Sequence, residues 1–139
     1  MSQLRWDPLK LNWVIVTNDR GRQPRDFFRE RERVTLVACP FCYGQEAKTP
    51  PEVYALRPDG SRPETPGWRV RVIPNKFPAL RIEGELEKRG AGLYDVMNGI
   101  GAHEVIIETP DHDRSMAELS AAEIAEVLRA WRVRLLDLR

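Results

Sequence analysis

Apolar residues recur at strand spacing through most of this chain and at helical spacing near its end. Trp13-Val14-Ile15-Val16-Thr17 is dense in β-branched and aromatic residues, which suit a pleated surface, and reads as a strand. From Trp68 to Ile73 the alternation is strict: Trp68, Val70 and Val72 take one face, Arg69 and Arg71 the other. That pattern predicts a half-buried strand with a cationic face, ended by Pro74. His103-Glu104-Val105-Ile106-Ile107-Glu108 reads as a further strand, and Thr109-Pro110-Asp111 turns the chain out of it. Near the end, Ser120 and Glu123 form a capping box, each side chain satisfying an orphan amide of a first helical turn. Ile124, Val127, Leu128, Trp131, Leu135 and Leu138 follow at helical spacing and predict one apolar stripe.

The intervening stretches are weaker. Asn18 to Pro24 is a polar loop with several cations, and Phe27 to Val37 is ambiguous, with mixed charge and then Val34, Leu36 and Val37. Thr49 to Pro66 holds five prolines and reads as loop. Glu83 to Gly101 is charged, then Gly-rich, and reads as a mobile excursion. Strands come first, with connections too tight for crossover helices, and the helix comes last. The expected fold class is α+β: one domain over residues 1–139, with an antiparallel sheet and a packed C-terminal helix.

Composition narrows the function classes. The chain has 139 residues, 42% apolar and 31% charged, with a net charge of +1. Such a balance gives no reason to expect nucleic acid or an anionic membrane as partner. No apolar run approaches the roughly 20 residues of a membrane span, and no signal-peptide pattern opens the chain. A cytoplasmic, reducing location is the default expectation, and it disfavours a structural disulfide between the two cysteines.

Those cysteines are adjacent in Cys39-Pro40-Phe41-Cys42. A Cys-x-x-Cys loop can turn both thiols toward one point and supply half of a tetrahedral zinc site. A thioredoxin-like redox role fits less well, because no helix start follows the motif. Two histidines remain, His103 and His112. His112 is the best-placed third ligand, since a rigid strand end holds its turn still, and Asp111 or Asp113 could orient its second nitrogen. His103 reads first as a satisfied sheet histidine and second as a ligand; both histidines with both cysteines would close a structural site.

Two further clusters carry chemistry. Asn75-Lys76-Phe77-Pro78-Ala79-Leu80 is either a strand–turn–strand corner with Phe77 and Leu80 in the core, or a recognition loop in which Phe77 offers a flat face to a base. Arg20, Arg22 and Arg25, with Arg69 and Arg71, are either solvated surface or a phosphate grip.

Taken in order, Arg5 to Leu9 with Trp13-Val14, Arg20 to Pro24, Cys39 to Cys42, Pro74 to Leu80, Gly101 to His112, Leu119-Ser120 and Ala130-Trp131-Arg132 resemble the N-terminal half of the galactose-1-phosphate uridylyltransferase family, of the histidine-triad superfamily. The resemblance covers almost the whole chain and implies a histidine-triad-like half. It implies zinc as cofactor on Cys39, Cys42, His112 and one further histidine. It places Asn75, Lys76 and Phe77 in the nucleotide pocket, with Lys76 where the family often has Asp, and Phe41 against the base. Arg20 matches a phosphate-region arginine, while Gln23 stands where the family has a second basic residue.

The family's nucleophile is the second histidine of a His-Pro-His segment. It attacks the α-phosphorus of the UDP-sugar and holds the uridylyl group as a phosphoramidate. No His-x-His occurs in this sequence. The expectation is therefore an N-terminal portion cut before that segment, with no catalytic residue of its own and inactive alone. The implied reaction moves UMP between UDP-glucose and galactose 1-phosphate, in a full-length homodimer acting on a UDP-sugar and a hexose 1-phosphate. The alternatives are an ADP-sugar or dinucleoside-polyphosphate phosphorylase of the same fold, and a non-catalytic zinc-stabilised nucleotide-binding domain.

Overall fold

A hairpin opens the chain, and half of it lacks a strand signature in the sequence. In the computed structural model, which describes residues 2–17 and 39–139, β1 (Gln3–Asp7) and β2 (Asn12–Val16) pair antiparallel with Trp6 opposite Trp13. The two rings meet edge-on at 5.6 Å, an arrangement that aromatic quadrupoles favour. Asp7 shapes the connecting turn: its Oδ1 accepts the amides of Leu9 (2.9 Å) and Lys10 (3.1 Å).

Within the stretch 83–101, where a mobile excursion was expected, residues 89–98 form a hairpin. β5 (Arg89–Ala91) and β6 (Tyr94–Asn98) are joined by Gly92-Leu93. Gly92 has φ 63, the positive value that a two-residue hairpin turn demands and glycine supplies without strain. β6 also pairs with β1, giving the order β2-β1-β6-β5. Asn98 is buried there, and its side-chain amide donates to Glu85 O (2.9 Å) and Glu87 Oε2 (3.1 Å).

A second antiparallel sheet has the order β3-β4-β7, from β3 (Tyr54–Leu56), β4 (Val70–Pro74) and β7 (Glu104–Ile107). β3 lies inside the Pro-rich stretch expected to be loop throughout. Helix α1 (Ala121–Asp137) packs on β3 and β4. Its capping box is in place: Ser120 N donates to Glu123 Oε2 (2.8 Å) and Glu123 N donates to Ser120 Oγ (3.3 Å). The buried stripe is rotated from the expected one. Val127 and Ala130 are buried, with Ile124 beside them, whereas Leu128, Trp131, Leu135 and Leu138 are exposed. Arg134 extends the packed face polarly, donating to both Glu104 oxygens at 2.8 Å.

The expected cationic face of β4 does not exist. Residues 68 and 69 precede the strand, and a bend at Arg69 breaks the alternation. Val70 packs toward α1 with Leu119 and Val127, while Trp68 joins Ile73 and Ile107 in a separate cluster. Arg69 pairs with Glu126 of α1 (2.6 Å), whereas Arg71 is 1% exposed. Arg71 donates to Glu52 (2.8 Å), Glu64 (2.6 Å) and Thr49 (2.8 Å), and Arg57 closes on the same Glu52 at 2.8 Å. Burial alone would raise the Glu52 carboxyl, but hydrogen bonds from Arg57 and Arg71 outweigh it and hold it below its ordinary value.

The described residues fall into two compact units, 2–17 with 77–103 and 39–76 with 104–139. The architecture is α+β with antiparallel sheets and a C-terminal helix, two sheets standing where one was expected. Among the described residues no helix is long and apolar enough to cross a membrane.

Candidate metal centre

Cys39 and Cys42 are brought to one point by a tight backbone turn. Cys42 N donates to Cys39 O (3.3 Å), and Gln45 N donates to Cys42 O (3.2 Å). Gly44 then takes φ 79, which spares the exit of the turn a Cβ penalty. The opposing ligand arrives from the exit of β7. Asp111 N donates to Thr109 Oγ1 (3.2 Å) and Asp113 N to Asp111 Oδ1 (3.2 Å). These side-chain bonds shape the turn that carries His112.

The ligand atoms of Cys39, Cys42 and His112 all lie within 4.8 Å of one another. Cys42 Sγ and His112 Nδ1 are 3.6 Å apart. A tetrahedral angle between a Zn–S bond of about 2.3 Å and a Zn–N bond of about 2.0 Å spans roughly 3.5 Å, so this pair already has the separation of two ligands of one ion. Both cysteines are free thiols, half-buried, and His112 is exposed. Burial pushes the Cys42 thiol up; the neighbouring Cys39 sulfur and the carboxylates of Asp111 and Asp113 add to it. The same groups that disfavour a bare thiolate favour a divalent cation between the sulfurs. Two soft sulfurs and an imidazole can hold a metal ion, and the donor set fits zinc with one position left for a further ligand.

The other residues of interest are placed as follows. Phe41 sits between the cysteines and is 41% exposed. Asn75 and Lys76 follow the end of β4, in the unit of the metal cluster. Phe77 belongs to the first unit and is 68% exposed, so it is not a core residue. Arg20, with Arg22, Gln23, Arg25 and the whole stretch 18–38, lies outside the described residues. His103 Nδ1 accepts the Ala79 amide at 2.9 Å, which fits a satisfied histidine. Arg71 is buried and committed to Glu52 and Glu64, so it is no phosphate grip, whereas Arg69 pairs with Glu126 at the surface. A cleft of about 190 Å³ flanks the His112 turn, but Glu108, Asp111, Glu123 and Glu126 outnumber Arg69 and Arg114 on its walls, which makes it poor ground for an anion.

Sequence patterns missed the contacts at the exit of the cysteine turn. Tyr43 donates its hydroxyl to Trp68 O, and Trp68 Nε1 donates to the buried Glu46 Oε1 (3.0 Å). The one available signal was an aromatic residue directly after Cys42.

Residues 60–139 match the family described as Galactose-1-phosphate uridyl transferase, N-terminal domain. An ADP-glucose phosphorylase of Arabidopsis thaliana is 32% identical over 138 residues, which is 96% of this chain and 38% of that protein. A galactose-1-phosphate uridylyltransferase of Haemophilus influenzae is 28% identical over 140 residues, 96% of this chain and 37% of that protein. The crystal structure of an ADP-glucose phosphorylase from A. thaliana with bound ADP-glucose is similar with a TM-score of 0.58 and 31% identity, over 99% of this chain and 38% of that one. The chain thus spans less than two-fifths of the length of these relatives, which are nucleotidyltransferase-type enzymes. With the match running over 60–139, the chain belongs to the galactose-1-phosphate uridyl transferase family, in its N-terminal domain.

Proposed function

We propose that residues 1–139 form the metal-holding, nucleotide-facing portion of a nucleotidyltransferase that works on nucleotide sugars. The observation that carries this reading is the convergence of Cys39, Cys42 and His112 in a chain of this family. Zinc is held by these three side chains and serves as a fixed cross-link between the cysteine turn and the exit of β7. Phe41, Asn75, Lys76 and Phe77 contribute to the nucleotide pocket, and Arg20 meets phosphate. The fourth ligand and the nucleophilic histidine come from outside these residues, in a homodimer of the complete protein.

For the base, two readings stand. An ADP-sugar as nucleotidyl donor is supported by the 32% identity to an ADP-glucose phosphorylase and by Lys76, which reverses the charge expected beside the nucleotide. UMP transfer between UDP-glucose and galactose 1-phosphate is supported by the family description and by the 28% identical uridylyltransferase. Profiling a complete protein carrying this chain separates them. Turnover of ADP-glucose with phosphate, without UDP-glucose activity, supports the first; turnover of UDP-glucose with galactose 1-phosphate supports the second. Elemental analysis of the purified chain should find about one zinc. A natively folded chain without zinc, with both cysteines open to alkylation, would sink the metal reading.

A further inference from the structure

We propose that Trp68, through Tyr43 and Glu46, is the positioning element of the metal centre, holding the cysteine turn ready for the ion. The inference rests on the reading of Cys39, Cys42 and His112 as metal ligands.

Trp68 is fully buried. Its carbonyl accepts the hydroxyl of Tyr43, the residue directly after Cys42. The two rings also meet edge-on at 5.1 Å and 80°. Its indole N–H donates to Glu46 Oε1 at 3.0 Å. Glu46 opens the 3-10 turn Glu46–Lys48, and its carbonyl accepts both Thr49 N (3.2 Å) and Thr49 Oγ1 (2.8 Å). The exit of the cysteine turn is therefore fastened to one residue, by a hydrogen bond to its carbonyl, a hydrogen bond from its indole and a ring contact. On its other side Trp68 shares a core cluster with Ile107, the last residue of β7, and the turn leaving β7 carries His112. One indole thus stands between the two segments that supply ligands.

The chemistry of Glu46 argues for more than packing. Glu46 is 4% exposed, and burying a carboxylate is costly unless it is hydrogen-bonded. An apolar residue would fill the space as well but would leave the indole N–H without an acceptor. A turn fixed before the ion arrives has less conformational entropy to lose on binding, which is the advantage that supporting shells give a metal site.

The test uses the 139-residue chain, with cobalt(II) titration read from its thiolate charge-transfer and tetrahedral visible bands, and zinc affinity read by competition with a chromophoric chelator. Tyr43→Phe removes one hydroxyl, and Glu46→Ala removes the indole's acceptor. Each should weaken zinc about tenfold and distort the cobalt spectrum. Glu46→Gln keeps an acceptor and should restore affinity to near wild type. Val127→Ala, in the core under α1, should lower thermal stability and leave affinity unchanged. Should Glu46→Ala fail to fold, Tyr43→Phe, at a 44% exposed residue, decides alone. Wild-type affinity in Tyr43→Phe and Glu46→Ala, or an equal loss in Val127→Ala, overturns the positioning role while the metal centre stands. A wild-type chain that takes up no cobalt overturns both.

Discussion

The two units differ in how completely they immobilise their strands. In the first, Trp13, Val14 and Ile15 of β2 are all exposed, and its described residues include no helix. In the second, Val70, Arg71, Val72 and Ile73 of β4 are all buried, between the helix on one face and a charged network on the other. The cluster of Cys39, Cys42 and His112, which could hold a metal ion, lies in the second. Ligand atoms must be held to a fraction of an ångström, and residues at the ends of buried strands are held better than residues on an open one. The contrast teaches that the charged face of β4 serves rigidity, not recognition. Arg71 looks like a phosphate ligand in the sequence and is a structural strut in the fold.

The largest expected effect breaks that strut. Glu52→Ala leaves Arg57 and Arg71 without their shared carboxylate, and Arg71 has no access to water. Removing one partner of a buried ion pair costs about 3–5 kcal/mol. Urea unfolding of the variant should show a loss of that size. A loss below about 1 kcal/mol would mean that Glu64 and Thr49 suffice for Arg71, and that the network is redundant.

The next effect sharpens the contrast through the metal. Free zinc at about 100 times its dissociation constant adds about 2.7 kcal/mol to the state that binds it. Chelation should therefore speed hydrogen exchange at 39–45 and 109–113, with little change in the β1–β2 hairpin. Equal loss of protection in both units would show that they unfold together and would erase the difference between them.

Packing comes third. Val127 is fully buried against Val70, Leu119 and Ala130, so Val127→Ala should cost about 2 kcal/mol, in the range of core truncations. Val14, at 43% exposure on β2, should cost less than about 0.5 kcal/mol when cut to Ala. Thermal melts of the two variants test the pair; equal losses would mean that β2 is covered in solution.

What could be read from the sequence follows from the range of each interaction. The helix start was legible because Ser120 and Glu123 are three residues apart and satisfy each other locally. β2, β7 and the cysteine pair were legible for the same reason. β3 was not: three residues among prolines become a strand only because Tyr54 lies opposite Val72. β6 was not, because one of its partners, β1, lies at the other end of the chain. The direction of Arg71 depends on Glu52, 19 positions away, and on a bend at Arg69 that no alternation rule contains. The candidate metal centre shows the same split. Cys39, Cys42 and the turn of His112 stood out, while Trp68 and Glu46, 22 positions apart, gave no pattern.

The smallest expected effect concerns the capping box, which faces the same cleft as the His112 turn. Hydrogen bonds from Arg114, then from the Ser120 backbone and hydroxyl, pull the Glu123 carboxyl from 4.5 to about 2. A carboxyl depressed in the folded state adds stability that is complete above its ordinary value and is lost as pH falls toward the folded one. Between pH 4.5 and about 2 the wild-type protein should therefore lose stability through this group. Glu123→Gln should flatten that part of the acid limb while lowering stability slightly at neutral pH, because the amide no longer pairs with Arg114. Since Arg114 is partly exposed, added salt should shrink the wild-type slope toward that of the variant. Parallel acid limbs in the two proteins, measured by helix ellipticity across that window, would remove Glu123 from the acid response and leave Glu52 and its two arginines as the group to test next.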